Sequence, residues 1–212
     1  MIEFALAAAL MAQDYSEPDF SHEEGLPWCD QLEANDRHED CALQPTDGRE
    51  LMAVFTFTDG EWAQDGRLEV NSFEGRLLQA FDFETESFFY PSLEDINGDG
   101  REDILVPLIT GNVNTEYAIF MGHDEGFLTD PFQTNGHTIE PAPHGMFVVH
   151  SRSSAAEYGA DFYAFEDGTV NSVASVSISY VNAGDGEGPE CSLVHGGEDL
   201  GEDFYCRAVM TE

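Results

Sequence analysis

From about residue 48 onward the chain alternates between short apolar runs and turn-forming pairs. Asp-Gly occurs at 47–48, 59–60, 65–66, 99–100, 167–168 and 185–186, and Asn-Gly at 97–98 and 135–136. Between these pairs lie segments rich in β-branched and aromatic residues, the pattern of antiparallel strands joined by tight turns. It predicts strands over 50–57, 67–73, 77–83, 87–92, 103–109, 116–121, 145–151, 160–166, 169–180 and 203–209. The clearest alternation places Ala174, Val176, Ile178 and Tyr180 on one face and Ser175, Ser177 and Ser179 on the other, as a half-buried strand requires. Ser172 and Val173 break that alternation upstream. No amphipathic helix is predicted beyond the first dozen residues. The fold class expected is all-β: an antiparallel β-sandwich or barrel-like sheet pair with one calcium loop between strands. That loop motif has no second copy, which argues against a many-bladed propeller built from it.

The first 46 residues have another texture. Residues 1–12 contain an apolar run from Phe4 to Ala12 followed at once by polar, acidic sequence, which reads as a signal peptide, although Glu3 stands where a basic residue is usual. Residues 13–46 are acidic, contain Pro18, Pro27 and Pro45, and read as an extended arm that Trp28 docks on the domain. Residues 47–212 form the β-rich calcium-binding domain. Four cysteines suit an oxidising compartment, so the expected location is periplasmic or secreted. Of the three possible pairings, the local one, Cys29 with Cys41 and Cys191 with Cys206, closes two short loops and is preferred. A thiolate metal site has no C-x-x-C to support it.

Charge narrows the partners. Asp and Glu total 43 against 7 basic residues, all arginine, for a formal charge of −36. Such a field repels nucleic acid and anionic membrane surfaces and attracts cations and basic proteins. No segment is an apolar run long enough to span a bilayer, so no membrane insertion is expected.

The segment that carries chemistry runs from Asp95 to Asp103. Calcium takes six to eight oxygen ligands from a sharply turning loop. Asp95, Asn97, Asp99 and Asp103 supply side-chain oxygens at positions 1, 3, 5 and 9, and Arg101 at position 7 supplies its backbone carbonyl. Gly98 and Gly100 permit the turn. Position 12 is Val106 where an EF-hand needs a bidentate glutamate, and the loop runs directly into an apolar strand.

This loop resembles those of FG-GAP and VCBS-type β proteins. The wider order is an apolar N-terminus, short strands, the loop, a strand, a Gly/Asn-rich tip at 110–115 and a Tyr117-bearing strand. It is similar to periplasmic immunity proteins and lysozyme-inhibitor-like proteins associated with type IV secretion in Xanthomonas-type bacteria. The resemblance spans roughly residues 50–180 and is motif-like over 87–127. It implies a basic peptidoglycan hydrolase as partner, with Thr110, Gly111, Asn112 and Tyr117 at the contact. The acidic arm and the cysteine positions have no counterpart in that family.

No catalytic or cofactor-binding residues stand out, and the chain is not expected to be an enzyme. The seven histidines are scattered, Ser151–Ser154 lacks the strained setting of a nucleophile elbow, and no phosphate loop follows a strand. Two readings of function remain: an exported calcium-binding inhibitor or immunity protein, and a structural or adhesive calcium module with no enzyme target.

Overall fold

A computed structural model describes residues 25–180 and 188–210 of the chain. The signal-peptide reading at 1–12, the first part of the acidic arm and the turn at 185–186 lie outside them. The strands are β1 (Cys41–Leu43), β2 (Leu51–Asp59), β3 (Gln64–Ser72), β4 (Leu77–Thr85), β5 (Ser92–Glu94), β6 (Asp103–Thr110), β7 (Thr115–Phe120), β8 (Gly122–His123), β9 (Gly126–Phe127), β10 (Phe132–Gly136), β11 (Thr138–Ala142), β12 (Met146–Arg152), β13 (Glu157–Glu166), β14 (Thr169–Ser179) and β15 (Glu190–Gly196). Among the described residues one α-helix, α1 (Glu202–Met210), follows them.

The all-β antiparallel sandwich expected from the pattern is what forms, extended by a further sheet. The first sheet has the order β1-β2-β3-β4, the second β10-β7-β6-β5 and the third β11-β12-β13-β14-β15, with β8-β9 as a small hairpin. None of the sheets closes into a barrel.

Side-chain direction alternates along a strand, and this stacks the sheets. On β6, Ile104 and Val106 join a core with Phe55, Leu68 and Val70 of the first sheet. Leu105, between them, joins Phe147 and Val149 of the third sheet. On β7, Ala118 and Phe120 face the first core, while Ile119 and, just past the strand end, Met121 face the other. The stretch of the second sheet where Ile104–Val106 of β6 pair with Ala118–Phe120 of β7 is therefore buried on both faces. Truncating a fully buried phenylalanine such as Phe120 costs about 3–5 kcal/mol in such a setting.

The third sheet repeats the arrangement. Met146 and Val148 of β12 turn away from Phe147 and pack with Phe162, Ala174, Val176 and Tyr205 beneath α1. On β14, Ala174, Val176 and Ile178 are buried, as expected, whereas Tyr180 is exposed just past the strand end. The broken alternation at Ser172–Val173 has a structural cause. Phe162 pairs with Ala174 and Tyr163 with Ser172, so Val173 is the extra residue of a β-bulge.

Two predicted strands need correction. Residues 203–209 lie in α1. Gly201, at φ +77°, immediately precedes the helix, acidic Glu202 and Asp203 occupy its first turn and Arg207 the last, and Tyr205 and Cys206 face inward. The Glu202 carboxylate also accepts the Leu193 N–H (3.0 Å), tying helix to strand. Residues 87–91 form a loop rather than a strand. There the Thr85 and Ser87 hydroxyls accept the N–H groups of Ser87 (3.1 Å) and Phe89 (3.0 Å), replacing a ladder with local side-chain bonds.

Both disulfides form as the local pairing predicts, Cys29–Cys41 and Cys191–Cys206. The first joins a short 3-10 turn (Cys29–Gln31) to β1, and both its cysteines are buried in the first core. Trp28 bridges to Ala42. Among the described residues no helix is long and apolar enough to cross a membrane.

Candidate metal loop and hairpin tip

Asp95 to Asp103 fold as a tight loop between β5 and β6, built by its own carboxylates. The two Asp95 oxygens accept the N–H groups of Asp99 (3.1 Å) and Gly100 (2.9 Å). The Asn97 side-chain oxygen also accepts from Asp99 N–H (3.0 Å), and an Asp99 oxygen accepts from Arg101 N–H (2.8 Å). Gly98 and Gly100 sit at φ +71° and +87°, conformations that L side chains rarely adopt.

Asp103 closes the loop and is fully buried. One of its oxygens accepts Ile96 N–H (3.1 Å) and the other Gly122 N–H (2.7 Å). Burial pushes its carboxyl up to about 7, assisted by the negative charges of Asp99 and Asp95 and opposed by the two N–H donors. A carboxylate held next to other carboxylates, with the ionised form disfavoured, is the setting a cation relieves. The guanidinium of Arg101 does not supply that relief, because it pairs with Asp124.

The side-chain oxygens of Asp95, Asn97, Asp99 and Asp103 and the Arg101 carbonyl are hard donors, the class of ligand that calcium takes. The carboxylates alone make no cage; among the described residues no three His, Cys, Asp or Glu side chains form a set that could hold a metal ion.

The loop is clamped from outside by residues that sequence reading missed. Asp47 and Arg49 form a nearly buried ion pair, with side chains 4% and 8% exposed. Arg49 donates to Asp47 (2.5–3.0 Å), to the Glu102 carbonyl (2.5 Å) and to the Gly126 carbonyl (2.7 Å), and its guanidinium lies 4.5 Å from the centre of the Phe127 ring. Asp47 also accepts Glu102 N–H (2.8 Å). The Glu102 carboxylate in turn accepts from Thr46 N–H (2.5 Å) and from the Thr46 hydroxyl (3.0 Å). Burial works against the charged form of Asp47, but the Arg49 guanidinium and the Glu102 and Arg49 N–H groups outweigh it and hold the carboxyl below its usual range. Gly122 is required at this junction, since a Cβ there would lie 2.6 Å from the Glu102 carbonyl and 2.9 Å from Arg49. One signal was present in the sequence: arginine is scarce, and Arg49 lies two residues from an aspartate.

At the far end of β6 lies the tip. Gly111 N–H donates to the Asn114 carbonyl (2.8 Å), and Gly111, Asn112 and Val113 are exposed. The tip is braced on two sides. The Asn114 amide exchanges hydrogen bonds with the backbone of Arg152 (3.0 and 3.2 Å), and the Thr110 and Ser87 hydroxyls meet at 2.7 Å. Of the predicted contact residues, Gly111 and Asn112 are exposed, while Thr110 and Tyr117 are half-buried. Thr110, Gly111, Asn112 and Tyr117 line one shallow cavity together with Phe89 and Val113. Burial raises the Tyr117 phenol above its usual range; its partly buried side chain packs against the core between the second and third sheets.

The chain matches no protein-family model and none of the curated proteins compared with it. Among solved structures it is similar to one described as "Structure of a Xanthomonas Type IV Secretion System related protein". The identity is 14% and the TM-score 0.46, over 76% of this chain and 91% of that one.

Proposed function

We propose that this is an exported calcium-binding β protein that inhibits a basic peptidoglycan hydrolase, or confers immunity to one, by presenting its 110–115 tip. The observation that supports this reading most is continuity. The Asp95–Asp103 loop leads directly into β6, the first five residues of β6 are buried, and the strand ends in an exposed, doubly braced turn. A loop held on a rigid scaffold is a suitable element to enter an enzyme cleft. Calcium would be held by Asp95, Asn97, Asp99, Asp103 and the Arg101 carbonyl, and would neutralise the carboxylate crowding at the start of β6. The negative charge of the chain would speed encounter with a cationic enzyme.

The structural alternative, a calcium module without an enzyme target, draws support from the Asp47–Arg49–Glu102 clamp, which ties the loop into the fold. Turbidity loss of purified wall material under basic lysozyme-like enzymes separates the two. The inhibitor reading expects protection by micromolar protein in calcium and weaker protection from an Asn112→Trp variant of unchanged stability. No protection from any such enzyme at low salt would favour the structural module.

A further inference from the structure

Phe88 and Phe89 are each 49% exposed, although they are adjacent in the chain and neither packs away as a strand residue would. Val113 on the tip is 49% exposed and Ile109 on β6 is 48% exposed. Phe89 and Val113 line the same cavity as Tyr117, so the aromatic loop and the tip form one surface.

The loop carrying the two rings is fixed from several directions. Glu86 N–H donates to the Leu108 carbonyl (2.7 Å) and Asn35 N–H to the Phe88 carbonyl (2.9 Å). Glu39 N–H donates to the Tyr90 hydroxyl (2.9 Å), and the buried His38 ring lies tilted against Tyr90 with the ring centres 4.5 Å apart. Ser87 is bonded to the tip itself through Thr110. Rings held outward by such a frame lose little freedom when covered, which is the property of an energetic anchor in a protein interface.

Charge selects what covers them. Glu86, and Glu33, Asp36 and Glu39 on the segment bonded to this loop, are exposed, and the neighbouring Arg37 is paired with Asp59. A second copy of a chain with formal charge −36 would meet repulsion at this rim. From these observations we infer that Phe88 and Phe89, with Val113, form the apolar anchor of a docking surface for a basic protein that carries an apolar patch ringed by arginine and lysine. The inference deepens the reading above and rests on it for identifying that partner as a wall hydrolase.

The test uses the full exported chain in calcium and measures binding and inhibition separately. The probes are basic lysozyme-type hydrolases, with a cytochrome c and a pancreatic-type ribonuclease as basic proteins of other kinds. A double Phe88→Ser, Phe89→Ser variant with unchanged melting temperature should bind a hydrolase at least about 30-fold more weakly. Glu86→Lys should lower the association rate and flatten its salt dependence. Phenylalanine-dependent binding of any of these proteins without loss of wall lysis would sustain the surface and overturn the inhibitor reading. Binding and inhibition that the serine variant retains in full would overturn the surface and leave that reading intact. Binding of none of the probes, or self-association through these rings instead, would overturn the surface.

Discussion

Arg49→Ala is the sharpest perturbation of the frame around the loop. It removes the cation from an almost fully buried pair and leaves Asp47, 4% exposed, with only the backbone N–H groups of Glu102 and Arg49. It also strips the donor from the Glu102 and Gly126 carbonyls and the cover from Phe127. Breaking one side of a buried pair costs about 3–5 kcal/mol, mostly the penalty of the charge left behind. For a chain of this size that is a fall in melting temperature of roughly 6–20 °C. Replacing both partners, Asp47→Leu with Arg49→Met, removes the stranded charge and should cost less than the sum of the two single changes by about 1 kcal/mol or more. Urea unfolding of wild type, Arg49→Ala, the two single variants Asp47→Leu and Arg49→Met, and their double variant, under oxidising conditions in calcium and in chelator, measures both effects. An Arg49→Ala cost below about 1 kcal/mol, or strict additivity, would refute the claim that the pair acts as a clamp.

Further outcomes follow from other parts of the molecule. His38 is buried between Phe57 and Tyr90 with no hydrogen bond to either ring nitrogen, and burial lowers its pKa although the nearby Phe88 backbone partly favours the charged ring. The folded state thus binds the proton less readily than the unfolded chain. Its stabilising contribution is present above about pH 6.5 and is lost as pH falls below that toward the lowered folded value. Urea unfolding at pH 7.5 and 5.0 should show a steeper acid loss for wild type than for His38→Phe; equal slopes would contradict this. Cys191→Ser with Cys206→Ser opens a closure of 15 residues' separation and should cost about 3 kcal/mol, read from denaturant midpoints. Intact mass with and without reductant should show two disulfides and no free thiol in exported protein.

What the sequence made legible was local. The tight turn from Asp95 to Asp103 could be read because its aspartates, asparagine and glycines lie within nine residues. Period-two alternation revealed β14, and even its defect at Ser172–Val173 marked a bulge. The clamp was hidden because Arg49 reaches residues 53 and 77 positions away. The exposed apolar patch was hidden for the same reason, since Phe88, Phe89, Ile109 and Val113 come from the 86–91 loop, β6 and the tip. Residues 87–92 looked like a strand because Phe88, Phe89 and Tyr90 have strand composition; hydroxyl-to-backbone bonds decided otherwise. In α1 the aromatic and β-branched content of Phe204, Tyr205 and Val209 favoured a strand, while the spacing of inward residues obeyed a helix.

Calcium binding is tested most directly by the melting temperature of the intact chain in excess calcium against chelator. A ligand that binds only the folded state adds about 2.7 kcal/mol at a hundredfold excess over its Kd. The melting temperature of wild type should rise by roughly 5–11 °C, and that of Asp99→Ala little or not at all. Superimposable curves for wild type in calcium and in chelator would contradict it.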